Sequence, residues 1–136
     1  RVEFDILQFP YNLFDRQFDA YLPKLKQCGV EIHTRSAFLQ GLFFKDLNSL
    51  SKQLEPLKPY LSQIRSYCAA HAMTIEECAL SFVLNNPFID GVLVGVDNVN
   101  QLRNNIKVAA HTTEVDELAN QITVKEAFLL NPSNWV

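Results

Sequence analysis

Three short runs of apolar residues predict the strands of this chain. They lie at residues 4–9, 30–35 and 91–96, and Pro10 follows the first of them. The third run, GVLVGV, is almost wholly aliphatic, which is typical of a strand that is covered on both faces. We therefore expect three buried strands.

Apolar residues at helical spacing fill the stretches between and after these strands. Thr74 with Glu77 forms a capping-box signature, in which side chains and backbone satisfy each other's hydrogen bonds at the start of a helix. Asn98 is a typical N-cap residue for a helix that carries Leu102 and Ile106. The predicted helices span about residues 21–28, 60–69, 74–84, 98–109 and 114–128.

A strand followed by a helix, repeated along the chain, predicts an α/β fold of parallel strands joined by right-handed crossovers. All 136 residues fit one domain of this kind. Residues 43–57 are typical of a long surface loop, and both a functional loop and an ordinary connector remain open. Three strands alone leave two unpaired apolar edges, so either more strands belong to the protein or another copy supplies them. Because the chain starts at Arg1 without a methionine, we expect a piece of something longer.

Composition and charge narrow the class of protein. The chain is 48% hydrophobic and 20% charged, which is ordinary for a soluble globular protein and excludes a largely disordered one. The net charge of −3 disfavours binding to nucleic acid or to an acidic membrane surface. No apolar run approaches the ~20 residues of a membrane-spanning helix. Cys28, Cys68 and Cys78 show neither metal-ligand spacing nor an even disulfide set, so we expect free thiols in a reducing cytoplasm.

The turn after the third strand is the first candidate for chemistry. Gly95 lies near the end of the strand and Asn98 opens a helix, whose N-terminus presents free N–H groups that can hold a phosphate. Gln101, Asn104 and Asn105 follow at spacings that share a helical face, where amides can bind a sugar or a base. A solvated first turn rich in amides is the alternative.

The second strand carries a polar face. Alternation along the strand puts Glu31, His33 and Arg35 on one side. Arg35 is suited to stacking on a planar ligand or to pairing with an anion. An internal Glu31–Arg35 charge pair with His33 between them is equally consistent with the sequence. Gln8, on the first strand, is either a satisfied core amide or a hydrogen-bond partner for a ligand amide.

No pair of carboxylates, no Ser/His/Asp arrangement and no metal cluster stands out in the sequence. Tyr11 and Asn12 follow the first strand at its carboxyl end, where the active sites of α/β proteins collect. A tyrosine with a lysine beside it can transfer a proton. Lys24 and Lys26 are the nearby lysines, and we expect their helix to point away from such a site.

Three blocks of sequence stand out when they are taken together. They are DILQFPYNLFDR at residues 5–16, RSAFLQGL at residues 35–42, and residues 95–105. In this order and with these separations they resemble consecutive blocks of the aldo-keto reductase family, over nearly the whole chain. The resemblance implies a TIM (β/α)8 barrel, of which this chain holds the sixth, seventh and eighth βα units.

The resemblance also implies a binding site for NADP, with NAD as the alternative. Gln8 matches the glutamine that binds the nicotinamide amide, and Arg35 matches the position that stacks on the nicotinamide ring. The stretch beside the cofactor's diphosphate is matched by Ser36, Phe38, Gln40 and Gly41. The adenosine-phosphate pocket and the helix after it are matched by Gly95, Val96, Asp97, Asn98, Gln101, Asn104 and Asn105.

Two regions depart from the family pattern. Arg35 stands where many members have an aromatic residue, although a guanidinium also stacks on a planar ring. Asp97 stands where a small or basic residue often meets the 2′-phosphate of NADP, and Gln101 replaces the arginine of some members. Because an anionic Asp97 repels that phosphate, the preference between NADP and NAD stays open.

The family's catalytic Asp, Tyr, Lys and His belong to the first half of the barrel, and no residue of this chain matches them. We therefore expect the C-terminal, cofactor-binding portion of a cytoplasmic NAD(P)H-dependent oxidoreductase that acts on a small-molecule carbonyl substrate. The isolated fragment is expected to be inactive, and its bare strand edges are expected to favour a homo-oligomer. The alternative is a non-catalytic regulatory or scaffold module with the same fold.

Overall fold

The computed structural model describes residues 3–135 as an α/β structure. Residues 1, 2 and 136, which the predicted domain includes, lie outside the described range. The three strands are β1 (Ile6–Pro10), β2 (Glu31–Arg35) and β3 (Gly91–Val92). The α-helices are α1 (Leu22–Gln27), α2 (Lys58–Ala70), α3 (Ile75–Leu84), α4 (Val99–Ala110) and α5 (Asp116–Gln121). Short 3₁₀ turns lie at Asp19–Tyr21, Leu42–Phe44, Glu55–Leu57, Ala127–Leu130 and Pro132–Asn134.

The strands form one parallel sheet in the order β1-β2-β3, which confirms the predicted parallel α/β arrangement. The register pairs Gln8 with His33 and Pro10 with Arg35. Because paired residues of neighbouring strands point to the same side of a sheet, these four side chains share one face. The carboxyl ends of all three strands therefore lie at one edge of the molecule.

Within residues 3–135, helices cover one face of the sheet and leave the other uncovered. On that face Phe9, Ile32 and Thr34 are buried. On the opposite face, which we call the open face, Ile6 and Arg35 are exposed to solvent. The layer order is thus a sheet on helices, with the hydrophobic core between them.

The third strand is shorter and more exposed than the sequence predicts. The ladder with β2 ends at Val92, and Leu93 and Val96 are 46% and 40% exposed. The expectation of a strand covered on both faces is wrong in the described part of the chain, because no layer covers the open face. The aliphatic run alone could not reveal this, since coverage depends on what packs against the strand.

Two helix starts follow the predicted capping pattern. The Thr74 side chain accepts a hydrogen bond from the Glu77 N–H at the start of α3, and Asn98 accepts one from the Gln101 N–H at the start of α4. The second hydrogen bond of the predicted capping box, from the backbone N–H of the N-cap residue to the Glu side chain, is replaced. The Glu77 carboxylate accepts instead from the Thr113 hydroxyl at 2.9 Å. This hydrogen bond links α3 to the segment that follows α4.

The first helix buries less of its predicted apolar stripe than expected. Leu22 is buried and Leu25 packs partly against the core. Tyr21 is 61% exposed, and Cys28 is exposed. Gly29, with a φ of +76°, takes the left-handed conformation that ends a helix, as predicted.

The segment 43–57 is anchored in the core rather than lying wholly on the surface. Phe43, Leu54 and Leu57 are buried, and two short 3₁₀ turns hold them in place. These side chains attach a segment rich in turn residues to the helix layer. The predicted surface loop is therefore only partly correct.

The last helix is much shorter than the predicted span of residues 114–128. The Arg16 guanidinium donates to the carbonyl oxygens of Ala119 and Ile122, both at 2.8 Å. These carbonyls lie at the C-terminal end of α5, where a helix leaves its acceptors free. The side chain of a residue about a hundred positions away in sequence thus satisfies the free carbonyls at the helix end. No local sequence pattern predicts this contact.

No helix among residues 3–135 is both long and apolar enough to cross a membrane. Cys68 and Cys78 are buried and Cys28 is exposed, and all three are free thiols within the described part of the chain.

Candidate functional site

The loops that follow β1 and β2 are fixed to each other by one buried amide. The Asn12 side chain is fully buried, and its Oδ1 accepts hydrogen bonds from the N–H groups of Phe14 and Asp15 at 2.9 and 3.0 Å. Its Nδ2 donates to the Ser36 carbonyl oxygen at 3.1 Å. The two loops therefore form one rigid rim at the carboxyl ends of the strands.

Gln8 and Arg35 lie together on the open face. Gln8 pairs with His33, two residues before Arg35 in β2, so the Cα atoms of Gln8 and Arg35 are about 8 Å apart from strand geometry. Both side chains are exposed. The exposure of Gln8 is inconsistent with a satisfied core amide and leaves its amide free for a ligand.

The charge pair on β2 differs from the one that the sequence left open. Glu31 Oε1 contacts His33 Nε2 at 2.6 Å, whereas the Arg35 guanidinium donates to the Ser36 hydroxyl at 3.3 Å. The internal Glu31–Arg35 pair is therefore not formed. Arg35 keeps a guanidinium plane that is available to an anion or a planar ring.

The loop after β2 has a strained backbone. Three non-glycine residues, Ser36, Leu39 and Gln40, have φ values of +62°, +46° and +52°, and Gly41 follows at +77°. Such conformations cost roughly 1–3 kcal/mol each for residues with a side chain, and they cluster at functional sites. The loop is held in this shape by its buried residues, of which Leu39 is fully buried.

This strained loop can receive an anion. Among the described residues, the N–H groups of Phe38 and Gln40 donate to no protein acceptor. Backbone N–H groups of a turn that lack a protein acceptor can bind an anion. Phe38 is half-buried and packs against Phe44, with ring centroids 5.4 Å apart.

The start of α4 is an exposed, capped helix terminus. Asn98 Oδ1 accepts from the Gln101 N–H at 3.0 Å, and Gln101 Oε1 accepts from the Asp97 N–H at 2.7 Å. Gly95 has open space where a side chain would stand. The exposed members of the predicted set here are Gly95, Val96, Asp97, Asn98, Gln101 and Asn104.

Asn105 does not share that exposure. It is 8% exposed, so it lies within the packed side of α4. The predicted common face of Gln101, Asn104 and Asn105 is therefore divided between solvent and the interior. Helical spacing alone could not decide which side of the helix packs.

Tyr11 follows β1 but is not available for proton transfer. Its hydroxyl donates to Asp19 Oδ1 at 2.7 Å and accepts from Asn86 Nδ2 at 3.0 Å. Burial, followed by the neighbouring Asp19 carboxylate, raises the pKa of Tyr11 well above its usual value. Lys26 points elsewhere, with its ammonium 2.6 Å from the Asp90 carboxylate, as expected for its helix.

A cleft of about 360 Å³ opens beside the rim, and we call it the rim cleft. Its walls come from the loop after β1, the loop after β2 and the C-terminal segment 127–132. Asp15, which is 4% exposed, forms part of the wall, and burial raises the pKa of its carboxyl group. The lining residues are Pro10, Asp15, Gln17, Arg35, Ser36, Leu39, Ala127, Leu130, Asn131 and Pro132.

Neither Asp15 nor the C-terminal wall was predicted from the sequence. Asp15 and Arg16 lie in the first of the three blocks, residues 5–16, and no local pattern there indicates the burial of Asp15. Trp135 anchors the C-terminal segment, since its Nε1 donates to the Leu129 carbonyl oxygen at 2.8 Å. These residues meet because of tertiary packing.

Comparison with known proteins agrees with this geometry. A family model described as the Aldo/keto reductase family matches residues 1–125, which is most of the chain. The chain belongs to the aldo/keto reductase family. The family has an oxidoreductase fold that generally binds NAD(P)H, and the resemblance predicted from three sequence blocks is confirmed.

Individual relatives are distant and longer. The uncharacterized oxidoreductase YqkF of Bacillus subtilis (strain 168) is 23% identical over 124 residues, covering 76% of this chain and 37% of that protein. The holo and apo structures of aldo-keto reductase AKR11C1 from Bacillus halodurans match with a TM-score of 0.69 each, at 18% and 16% identity. They cover 93% of this chain and 46% and 47% of the other chains. The chain thus spans less than half the length of these relatives, and its fold is part of a TIM barrel.

Proposed function

We propose that this chain is the cofactor-binding portion of an NAD(P)H-dependent reductase of a small-molecule carbonyl compound. The observation that carries the proposal is the position of Gln8 and Arg35, which share the exposed face of the sheet beside the strained loop 36–41. In open and closed α/β sheets alike, ligands bind at the carboxyl ends of parallel strands. We propose the whole of residues 1–136 as one partial domain built around this edge.

The residues present fit a dinucleotide. The Gln8 amide would hold the nicotinamide amide, and the Arg35 guanidinium would stack on the nicotinamide ring. The bound cofactor would supply the hydride, while the protein supplies orientation and electrostatics.

The phosphates of the cofactor would lie farther along the same edge. The diphosphate would lie along Ser36, Phe38, Gln40 and Gly41, where two N–H groups lack a protein acceptor among the described residues. The adenosine phosphate would lie at the exposed start of α4, between Gly95 and Asn104. Asn105, being buried, would support this helix from within.

We expect Asp97 to determine the preference between NADP and NAD. We propose NADP as the cofactor from the family resemblance of the binding residues. NAD is the alternative, because the exposed carboxylate of Asp97 beside the expected adenosine-phosphate pocket would repel the 2′-phosphate of NADP. Asp97→Asn removes that negative charge. We expect this variant to gain affinity for NADPH relative to NADH by about threefold.

The isolated chain would bind the cofactor without turning over substrate. No residue here matches the family's catalytic set, and Tyr11 holds its proton between Asp19 and Asn86. The same observation favours the second candidate, a non-catalytic regulatory or scaffold module of this fold. The two functions differ in whether a protein that contains both halves of the barrel reduces a carbonyl.

Free cysteines fit a reducing compartment, and we propose the cytoplasm.

Titration of the purified chain with NADPH and NADH, followed by calorimetry, tests this function. We expect NADPH to bind and Arg35→Ala to weaken the binding about tenfold, because a charged, stacking side chain is lost. Lys24→Ala is the matched control, since Lys24 is an exposed cation on α1, away from the site. Absence of binding by both nucleotides, or unchanged affinity in Arg35→Ala, contradicts the proposal. Consumption of NADPH by the isolated chain after addition of an aldehyde contradicts its inactivity.

A further inference from the structure

The turn between α2 and α3 brings two buried thiols together. Cys68 lies in the last turn of α2, and Cys78 lies at the start of α3. Cys68 is 4% exposed and Cys78 is fully buried. The Cys68 thiol donates to the Thr74 carbonyl oxygen at 3.8 Å, and the Cys78 N–H donates to the same oxygen at 3.0 Å. The two cysteines therefore meet at one atom of the turn.

The backbone of this turn holds the two cysteines in place. Ala72 has a φ of +51°, a left-handed conformation that is uncommon for a residue with a side chain. The Met73 N–H donates to the Cys68 carbonyl oxygen at 3.1 Å, and the Thr74 side chain caps α3. The turn is thus fixed at both of its ends. Holding two reacting groups in one place raises the effective concentration of each toward the other.

The surroundings of the two thiols give them different reactivity. A side-chain hydrogen bond with Cys78 lowers the pKa of Cys68, and the same hydrogen bond, followed by burial, raises the pKa of Cys78. The thiolate is the reactive form of a cysteine, so Cys68 is expected to react first. Cys28, at the end of α1, is exposed and takes no part in this pair.

We propose that Cys68 and Cys78 form a reversible disulfide when the protein meets hydrogen peroxide. The Cys68 sulfur attacks one peroxide oxygen, the O–O bond breaks, and the leaving hydroxide takes up a proton to become water. The Cys78 thiol then gives up its proton, and its sulfur attacks the sulfur of the Cys68 sulfenic acid. The S–O bond breaks, an S–S bond forms, and a second water leaves. Two electrons from the two sulfurs thus reduce one peroxide to two waters, and a dithiol reductant reverses the bond.

The disulfide would lie apart from the proposed cofactor site. None of the proposed cofactor-binding residues belongs to α2 or α3. We therefore expect the affinity for NADPH to be the same in the reduced and the oxidised chain. The inference does not depend on the proposed function.

Peroxide treatment of the folded Cys28→Ser chain tests the pair. This substitution removes the exposed thiol, which would react or link two chains, and it keeps both buried thiols. After the peroxide is removed, the chain is unfolded, free thiols are alkylated and the intact mass is measured. We expect a monomer that is lighter by two hydrogens and carries no alkyl group. Dithiothreitol should restore both thiols.

A digest without reductant locates the bond. A protease that cuts after glutamate is needed, because Glu76 and Glu77 lie between the two cysteines and no lysine or arginine does. We expect one linked pair of peptides, one carrying Cys68 and the other Cys78. Dithiothreitol should separate them.

Single substitutions in the Cys28→Ser chain separate the roles of the two thiols. Cys78→Ala removes the second thiol, so peroxide should leave Cys68 as a sulfenic acid that dimedone traps. Cys68→Ala is the matched control, and its Cys78 should be trapped about tenfold more slowly, because it is fully buried and holds its proton more tightly. Circular dichroism verifies that each variant is folded. Faster trapping at Cys78 than at Cys68 contradicts the proposed order of the two steps.

The thermal unfolding midpoint shows whether the bond forms within the folded arrangement. A crosslink between positions that are already close restricts the unfolded chain, so oxidation should raise the midpoint by about 5 °C. A midpoint that does not rise would mean that the bond distorts the helices, and it would overturn the inference. Two free thiols after peroxide treatment, or added oxygen on Cys68 with Cys78 still a thiol, would overturn it as well.

Discussion

At the scale of single residues, a few polar side chains decide where the loops and helices of this chain lie. Asn12 joins the loops after β1 and β2, and Arg16 joins the first of them to α5. Asp90, which directly precedes β3, joins two elements, since its carboxylate accepts from the Lys26 ammonium on α1 and from the Ile32 N–H on β2, at 2.6 and 2.7 Å. Each of these groups connects parts of the chain that are distant in sequence.

Asp90 gives the protein a defined pH dependence. The Lys26 hydrogen bond, followed by the Ile32 N–H, holds the pKa of Asp90 below its usual value. A lowered pKa in the folded state stabilises the fold above the ordinary aspartate pKa, and this stabilisation is lost as pH falls through the lowered value. Asp90→Asn should therefore cost roughly 1 kcal/mol at neutral pH, a modest amount because the ion pair is partly exposed.

The measurement is the thermal unfolding midpoint between about pH 6 and pH 2. The difference between Asp90→Asn and the unchanged chain should shrink toward the acid end. Asp46→Asn is the control, because Asp46 is an exposed carboxylate whose main contact is the N–H of Asn48 in its own turn. A difference that stays constant over the whole range contradicts this account of Asp90.

At the scale of elements, helix starts are set by caps and helix ends by tertiary contacts. α3 begins at the residue after Thr74, whose side chain takes up the Glu77 N–H at 3.1 Å. α5 ends where the Arg16 guanidinium binds its last carbonyls. The cap at Thr74 can be predicted from four neighbouring residues. The contact of Arg16 with the end of α5, which we call the clamp, depends on the whole fold.

Removal of the α3 cap should destabilise the chain measurably. Thr74→Ala leaves one N–H at the helix start without its acceptor, and we expect a loss of about 1 kcal/mol in the free energy of unfolding by denaturant. Thr74→Ser keeps the hydroxyl and should recover most of the loss. Ser66→Ala, at an exposed position inside α2, is the control and should change little. Equal losses in the alanine and serine variants would show that the hydroxyl does not act as a cap.

At the scale of the whole molecule, the dominant feature is apolar surface at both edges of the sheet. Phe4 and Ile6 are 44% and 53% exposed near β1. Beyond β3, two apolar residues of α4 face solvent, since Leu102 and Ile106 are 45% and 59% exposed. Large apolar side chains exposed at the edges of a sheet favour interaction with another surface or aggregation.

This surface leads us to expect self-association of the isolated chain. Light scattering coupled to size exclusion should give a mass that rises above 15.5 kDa with concentration. Leu102→Lys combined with Ile106→Lys should shift the mass toward that of the monomer, because charge opposes burial of the helix face. Tyr21→Lys is the control, at a residue that is 61% exposed near α1. A concentration-independent monomer before any substitution would contradict the expectation.

The sequence predicted the repeating features and missed those that depend on distant partners. The first two strands, the parallel order and the caps at Thr74 and Asn98 follow from local periodicity and hydrogen-bonding chemistry. Gln8 and Arg35 are predicted to bind the cofactor because their blocks resemble a family. The cleft that Asp15 lines could not be predicted, because residues 127–132, which line it too, lie more than a hundred positions further along the chain.

The clamp made by Arg16 has a consequence for the order of events in folding. Its two hydrogen bonds span 103 and 106 positions, so they close one of the longest loops that the chain contains. Closing a loop of that length costs conformational entropy before the contacts at its ends form. Such contacts therefore form later than those of local helical turns. The clamp would therefore assemble late and release early, and amide hydrogens at the C-terminal wall would exchange with solvent sooner than those of β2.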